Sequence, residues 1–203
     1  MPDTDLWADV APPASRRLLL AALEAFSEHG YFATTTRDIS QRAELSPAAV
    51  YVHYPSKAEM LAEICRRGHA EVLDQIEAAL QEPGTPTERV RRFVSVFSSF
   101  HARRQTVGRV IQYELRGLPP KEFREIAAMR DRFEELLRTE LEAGIANGEF
   151  SVSNLDATCV TILSMGIDVA RWFGSGASAG LTPEQLGELH ADLAIRMIAA
   201  PGT

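Results

Sequence analysis

Side chains that could donate hydrogen bonds to a nucleic-acid backbone are concentrated between residues 34 and 57. Tyr51 and His53 place a hydroxyl and an imidazole two positions apart, which suits contacts to phosphate oxygens. Three small apolar residues, Pro47, Ala48 and Val52, lie among them and suit thymine methyl groups and base edges. This combination is typical of a helix that enters the major groove of DNA.

Three helix starts position these groups. Each start has a serine or threonine whose hydroxyl can accept a hydrogen bond from an unpaired N–H group of the first helical turn, followed by a proline or an acidic residue. The pairs are Thr35 with Asp38, Ser46 with Pro47, and Ser56 with Glu59. They predict two short helices, at 36–43 and 47–53, separated by only a few residues. That arrangement is a helix-turn-helix.

Apolar side chains between the caps can hold the two short helices together. A helix of seven residues is unstable alone in water, so it must pack against its neighbours. The predicted small core consists of Ile39, Ala43, Leu45, Val50 and Tyr54.

The stretch 15–61 resembles the DNA-binding domain of TetR-type transcriptional repressors. The residues that match the family pattern are Thr34, Thr35, Ile39, Ser40, Ala43, Leu45, Ser46, Val50, Tyr51, His53, Tyr54 and Lys57. From the resemblance and the caps together, we predict DNA contacts from Thr35, Thr36, Arg37, Ser46, Pro47, Ala48, Tyr51, Val52, His53 and Lys57. Within this set, Thr35, Tyr51, His53 and Lys57 are assigned mainly to phosphates.

One position departs from the family pattern. The family usually has glycine after Ala43, where φ tends to be positive, and this chain has Glu44. A residue with a side chain at that position either carries a small strain or forces a different turn.

Composition and charge fit a DNA-binding protein that does not rely on a broad basic surface. The chain has 203 residues and a net charge of −7, but residues 14–57 hold five basic and four acidic side chains. The N-terminal stretch has no signal-peptide pattern and no apolar run is long enough for a membrane span, so we expect a cytoplasmic protein. Cys65 and Cys159 are expected to be small buried apolar groups.

Helical periodicity continues to the end of the chain and predicts an all-α fold. We expect a flexible tail at 1–14, a three-helix DNA-binding domain at 15–57, and a ligand-binding and dimerisation domain at 58–203, joined by a long helix. A glycine- and serine-rich loop at 174–180 lacks the lysine of a phosphate-binding loop and is predicted to be flexible. The nine predicted helices are 15–29, 36–43, 47–53, 57–81, 85–104, 106–115, 121–146, 154–173 and 182–199.

The second part of the chain is predicted to bind a partner subunit and a small molecule. The resemblance implies a homodimer, formed by the last two helices, on a near-palindromic double-stranded operator. The helix at 154–173 is apolar nearly all round, as such an interface needs, although core helices of a monomer could show the same pattern. Candidate ligand-binding residues are Phe93, Phe97, Phe100, Gln112, Tyr113, Phe133, Met165, Arg171 and Trp172.

The nature of the small molecule is suggested only by a second, less specific resemblance. The stretches VIQYELRGLPPKEFREI, RDRFEELL and DVARWF are similar to the branch of the family that responds to acyl-CoA thioesters. That resemblance implies an amphipathic effector, and Arg171 is the candidate for its charged end. Aromatic residues at helical spacing are also typical of an ordinary core.

An enzyme or carrier with a vestigial helix-turn-helix is the alternative. Against it, the sequence has no H-E-x-x-H, G-x-S-x-G or C-x-x-C motif, and its histidines show no metal-binding spacing. We therefore predict no catalytic residues, no metal site and no cofactor.

Overall fold

The computed structural model describes residues 5–174 and 180–201, and this part of the chain contains nine α-helices. Within this part, two short 3-10 helices lie at Asp5–Trp7 and Leu115–Gly117, and one isolated β-bridge joins Phe150 to Ala199. The α-helices are α1 (Pro13–His29), α2 (Thr36–Arg42), α3 (Pro47–His53), α4 (Lys57–Gln81), α5 (Pro86–Arg103), α6 (Gln105–Tyr113), α7 (Pro120–Ala146), α8 (Leu155–Trp172) and α9 (Pro183–Ile198). The all-α prediction is confirmed, and each predicted boundary lies within two residues of the observed one.

Local capping explains why the helix starts could be predicted. Three threonines form complete capping boxes, in which the hydroxyl accepts from the amide three residues later and the side chain there accepts from the threonine N–H. The boxes are Thr35 with Asp38, Thr85 with Glu88, and Thr182 with Gln185.

The N-terminal segment differs from the flexible tail predicted for residues 1–14. From Asp5 onward it is ordered: the side chain of Trp7 is fully buried, and Asp9 forms an ion pair with Arg67 of α4 at 2.7 Å. The Arg67 guanidinium also donates to the carbonyl oxygen of Leu6. Burial of one indole and a pairing about 60 residues along the chain outweigh the polar composition of the segment.

The described chain divides into two compact units. The first unit contains residues up to 71 together with 106–128. Its core is built by α1, the helix-turn-helix and the first half of α4, where Leu19, Phe26, Ile39, Val50 and Leu61 are buried. A Cβ atom at Gly68 would lie 2.8 Å from Val107, so the missing side chain at this position lets α4 and α6 approach closely.

The second unit contains residues 72–105 and the chain from 129 onward. Its core forms around α5, against which both α8 and α9 pack. A Cβ atom at Gly166 would lie 2.5 Å from the ring of Phe97, so α8 also depends on a glycine at its closest contact.

Three further expectations concern single features. No helix in the described ranges is both long and apolar enough to cross a membrane. The side chains of Cys65 and Cys159 are buried, as predicted. Most of the predicted flexible loop, residues 175–179, lies outside the described residues.

Candidate nucleic-acid interface

The turn between α2 and α3 places Glu44 in the left-handed region, with a φ of 54°. The Glu44 N–H donates to the carbonyl oxygen of Gln41 at 3.1 Å, and the Leu45 N–H donates to that of Ser40 at 2.9 Å. These two bonds define a Schellman motif, which needs positive φ at the position that Glu44 occupies. Of the two outcomes expected at this position, the structure shows the strained one.

The exposed face of α3 carries the side chains predicted to read DNA. Val52 is 78% exposed and Tyr51 60% exposed, and Pro47 and Ala48 are also exposed. Val50, on the opposite face, is fully buried and anchors the helix. The helix therefore presents a pre-formed exposed face, and the major groove of DNA admits an α-helix.

Two hydrogen bonds fix the donors on this face. The Tyr51 hydroxyl lies 3.3 Å from the Thr36 hydroxyl, which links α3 to the start of α2. His53 places Nδ1 3.0 Å from the Ser15 hydroxyl, so a phosphate contact from His53 must use Nε2. Ser15 was not identified from the sequence as part of the site, because its role depends on the meeting of α1 and α3 rather than on local spacing.

The N-cap residues of the two helices use their hydroxyls locally. The Thr35 hydroxyl donates to Asp38 at 2.7 Å and accepts from its amide at 3.2 Å, and the Ser46 hydroxyl accepts from the Ala49 amide at 3.3 Å. Both hydroxyls therefore serve mainly to start the helices. The free N–H groups of these first turns can attract phosphate oxygens.

Lys57 is placed differently from a simple phosphate contact. Its half-buried ammonium donates to the carbonyl oxygens of Tyr31 at 2.6 Å and Thr34 at 2.5 Å, and lies 4.2 Å from the centre of the Tyr31 ring. Burial lowers the pKa of Lys57, while the charge of Asp38 acts in the opposite direction. Because an ammonium has three N–H groups, one remains for DNA.

The arginines of the helix-turn-helix fall into two classes. Arg42 forms ion pairs with Glu24 at 3.3 Å and Glu28 at 2.5 Å, and the bond from Arg42 holds the pKa of Glu28 below its ordinary value. Arg37 is exposed at the start of α2. Of these two, Arg37 is therefore the one better placed for a phosphate.

The aromatic residues predicted to bind a ligand lie mainly in the core of the second unit. Phe93 and Phe97 stack with ring centroids 5.9 Å apart, and Phe97 contacts Phe133 at 5.5 Å. Phe100 is also fully buried, while Met165 is half-buried against this cluster. The structure thus brings these five side chains together by direct packing.

The remaining predicted ligand residues are placed elsewhere. Trp172 is half-buried, and Arg171 is exposed and paired with Asp168 of the same helix at 2.7 Å. Gln112 and Tyr113 belong to the first unit, where Tyr113 is 55% exposed. A shared site for all nine residues remains a prediction.

No group of three or more histidine, cysteine or acidic side chains in the described ranges is arranged to hold a metal ion.

Comparison with known proteins gives two family matches. Residues 18–64 match the family described as bacterial regulatory proteins, tetR family. Residues 83–198 match the tetracyclin repressor-like C-terminal domain. The two matches leave residues 1–17, 65–82 and 199–203 uncovered.

Similar proteins of nearly the same length have been described. The HTH-type transcriptional repressor KstR2 of Mycolicibacterium smegmatis is 29% identical over 88% of each chain. The crystal structure of a tetR-family regulatory protein from Rhodococcus RHA1 is 36% identical, covers 94% of this chain and 99% of its own, and has a TM-score of 0.87. AibR, solved with isovaleryl coenzyme A and operator DNA, shares the fold at 22% identity, with a TM-score of 0.78 and coverage of 93% and 99%.

The interface and the comparisons agree. A capped helix-turn-helix with an exposed second helix occupies the part of the chain that matches the N-terminal family, and the other match alone covers more than half of the sequence. The chain therefore belongs to the TetR family of bacterial regulatory proteins and is a DNA-binding transcription regulator.

Proposed function

We propose that this TetR-family transcriptional repressor acts in the cytoplasm as a homodimer on a near-palindromic operator and is released by a small amphipathic effector. The observation that carries the proposal is the pre-formed face of α3, on which Tyr51 and Val52 are exposed while Val50 anchors the helix. A single helix of this length reads only a few base pairs, so a second copy is needed to specify a site.

An exposed apolar strip supports dimerisation through the last two helices. Leu189, Leu193 and Met197 recur every fourth residue on α9 and are 44%, 44% and 50% exposed, and Val160 on α8 is 55% exposed. Side chains four positions apart lie on one face of a helix. A face of this kind is what an interface related by two-fold symmetry would bury.

The proposed DNA contacts are of two kinds: contacts to phosphates position the protein, and contacts to bases recognise the sequence. We assign the first turns of α2 and α3, with Arg37, Tyr51, His53 and the third N–H of Lys57, to phosphates. We assign Pro47, Ala48 and Val52 to base edges and thymine methyl groups. In a dimer, the two copies of α3 would lie about 34–36 Å apart, one turn of DNA.

An acyl-CoA thioester is the proposed class of effector. The resemblance of the predicted ligand-binding domain, residues 58–203, to the acyl-CoA-responsive branch supports it. AibR, which shares this fold, is described in complex with isovaleryl coenzyme A. The aromatic cluster around Phe97 would have to open to admit an acyl chain. Arg171 would have to exchange Asp168 for a negatively charged group of the effector.

The chain crosses between its two compact units three times. The unit boundary falls within α4, within α7 and at the junction of α5 with α6. The two units are therefore connected at three places, and α4, which directly follows the helix-turn-helix, provides one of them. A hundredfold loss of operator affinity requires an effector to favour the non-binding state by about 2.7 kcal/mol, a coupling that one well-bound ligand can supply.

The test begins with a duplex selected from random-sequence DNA by the wild-type protein. The complex is titrated with free coenzyme A and with acyl-CoA esters of increasing chain length, and bound DNA is measured by fluorescence anisotropy. Release by a thioester and not by coenzyme A supports the proposal. If no ester releases the DNA, the acyl-CoA assignment is wrong, and if no duplex is selected, the operator proposal itself fails.

Arg171→Ala tests the proposed role of Arg171 separately from that of the aromatic cluster around Phe97. We expect the variant to need at least about tenfold more ester for release, because a charge-assisted contact to the effector is lost. Asp168→Asn is the matched control, since it disrupts the same ion pair but keeps the cation. An equal response of Arg171→Ala and wild type would remove Arg171 from the site.

A further inference from the structure

The loop that connects α1 to α2 is held from several sides within the first unit. It contains residues 30–35 and ends at Thr35, the N-cap of the helix-turn-helix. The Thr34 hydroxyl lies 2.8 Å from the carbonyl oxygen of Gly30 and 3.2 Å from that of Ala25, which binds the loop to α1. Lys57, at the start of α4, binds the carbonyl oxygens of Tyr31 and Thr34. The position of α2 therefore depends on this loop.

A further contact to the loop comes from a distant part of the chain. Glu114 follows α6 directly, and its carboxylate accepts a hydrogen bond from the backbone N–H of Tyr31 at 2.9 Å, across 83 positions of sequence. Glu114 is half-buried, and Tyr31 is only 9% exposed. A hydrogen bond from an amide to an ionised acceptor is stronger than one to a neutral acceptor.

The same short segment also contacts the ring of Tyr31. Gly117, three residues after Glu114, lies against the ring so closely that a Cβ atom would be 2.6 Å from Cε1. The ring is also contacted by Phe26 of α1, at a centroid distance of 5.3 Å, and by the Lys57 ammonium. Residues 114–117 therefore contact both the backbone and the ring of Tyr31.

These contacts form a chain of direct bonds from the end of α6 to the start of the helix-turn-helix. Glu114 binds the N–H of Tyr31, the carbonyl oxygen of Tyr31 binds Lys57, and Lys57 binds the carbonyl oxygen of Thr34. Thr35 follows at once and caps α2. A displacement of residues 114–117 must move Tyr31 or break these bonds.

We propose that Glu114 is a positioning residue for DNA binding, which acts through Tyr31 and Lys57 on the start of α2. The assignment depends on the DNA-binding role of the chain and not on the dimer or the effector. Through these hydrogen bonds, a displacement at the end of α6 can reach the helix-turn-helix without passing along the backbone of α4. An effector that displaced α6 would use this route.

The first measurement compares Glu114→Ala and Glu114→Gln on the full-length protein. Alanine removes the acceptor for the Tyr31 amide, whereas glutamine keeps a carbonyl oxygen within reach. We expect hydrogen exchange of a peptide spanning residues 30–35 to become about tenfold faster in Glu114→Ala and to stay near wild type in Glu114→Gln. If residues 30–35 exchange as slowly in Glu114→Ala as in wild type, the proposal is overturned, and this result requires no DNA.

The second measurement is affinity for a duplex selected from random-sequence DNA by the wild-type protein, at a temperature where every variant is fully folded. We expect about tenfold weaker binding by Glu114→Ala and by Gly117→Ala, which displaces the Tyr31 ring instead. Glu114→Gln should bind within about twofold of wild type. Glu125→Ala is the matched control, because Glu125 of α7 forms an ion pair within the same unit, with Arg66 of α4 at 3.3 Å, and not with Tyr31.

The third measurement separates positioning from general stability. If Glu114 acts through Lys57, its effect should be smaller in a Lys57→Met background, because the bonds made by Lys57 are already lost there. We then expect Glu114→Ala to weaken DNA binding by less than about threefold. The same tenfold cost in both backgrounds contradicts the proposed route, and so does an equal loss of affinity in Glu125→Ala. If wild type selects no duplex, the operator proposal fails and the role of Glu114 in DNA binding fails with it, and the exchange measurement then decides only whether Glu114 holds the loop at residues 30–35.

Discussion

The ammonium nitrogen of Lys57 lies 2.5 Å from the carbonyl oxygen of Thr34, the residue before the N-cap of α2. A lysine that the sequence assigns to a DNA phosphate therefore also determines the structure of the helix-turn-helix. The two roles are compatible, because an ammonium can donate three hydrogen bonds. They do mean that a substitution at this position changes stability and DNA binding together.

Lys57→Met tests both roles, since methionine keeps an unbranched apolar stem and loses the ammonium. We expect weaker binding to all DNA sequences alike and a salt dependence that is smaller by about one ion, because one phosphate contact is lost. Affinity measured over a series of salt concentrations, for selected and for random duplexes, gives the answer. Lys57→Arg is the control that keeps the charge. A loss of sequence discrimination with unchanged salt dependence would assign Lys57 to a base.

Glu44→Gly tests the strain in the turn. Glycine adopts a φ of 54° without a Cβ penalty, but it also makes the unfolded chain more flexible, so the two effects partly cancel. We expect a net gain of about 0.5–1 kcal/mol in the free energy of unfolding by urea. Glu44→Ala, which keeps a Cβ at the same φ, should stay near wild type. Equal stability of the glycine and alanine variants would show that the strain is no larger than the entropic cost of glycine in the unfolded chain.

Leu193→Glu tests the proposed dimer interface. Leu193 is central in the exposed strip of α9, and a carboxylate buried there by a partner subunit would lose its solvation in both copies. We expect dimerisation to weaken by at least about a hundredfold, measured by sedimentation velocity at micromolar protein. The control is Phe32→Glu, on a side chain of the first unit that is 73% exposed. A variant at Leu193 that remains dimeric would exclude this face.

His101 should make the protein less stable in mild acid. Its ring is buried against Phe97 and Phe100, and burial lowers its pKa to about 4, with a smaller contribution from the charge of Arg130. The folded pKa lies below the unfolded value of 6.5, so between these pH values the unfolded chain binds the proton and the folded chain does not. Stability is therefore lost as pH falls from 6.5 towards 4, by up to about 3 kcal/mol from this group.

The measurement for His101 is the urea unfolding free energy of wild type and His101→Leu at several pH values. The difference between the two curves should shrink or reverse as pH falls, because leucine binds no proton. Exposed carboxylates affect both proteins alike and cancel in the difference. Parallel curves for wild type and His101→Leu would show that His101 does not titrate in this range.

Most of the fold could be predicted because its determinants are local. A cap followed by an acidic residue or a proline, and an apolar residue every third or fourth position, determine where each helix begins and which face it buries. The left-handed turn at Glu44 is one of the two outcomes that the comparison with the family pattern left open, and the structure decided between them. The exposed face of α3 followed from the buried positions of Ile39 and Val50.

The parts that could not be predicted depend on contacts between residues far apart in sequence. Burial of Trp7 requires α4 to supply Arg67 for Asp9, and nothing in the N-terminal composition indicates that pairing. The contact of Ser15 with His53 depends on how α1 meets α3.

The sequence by itself determined an all-α chain with a helix-turn-helix at 36–53, because helix capping and amphipathic periodicity are short-range effects, and its resemblance to TetR-type repressors indicated a DNA-binding regulator. Only the tertiary structure decided which polar groups are already engaged. It showed that Lys57 binds two backbone carbonyl oxygens, that Arg171 is paired with Asp168, and that Glu114 holds Tyr31. Hydrogen-bond partners 26 or 83 positions away are selected by the packing of helices, which no local pattern encodes.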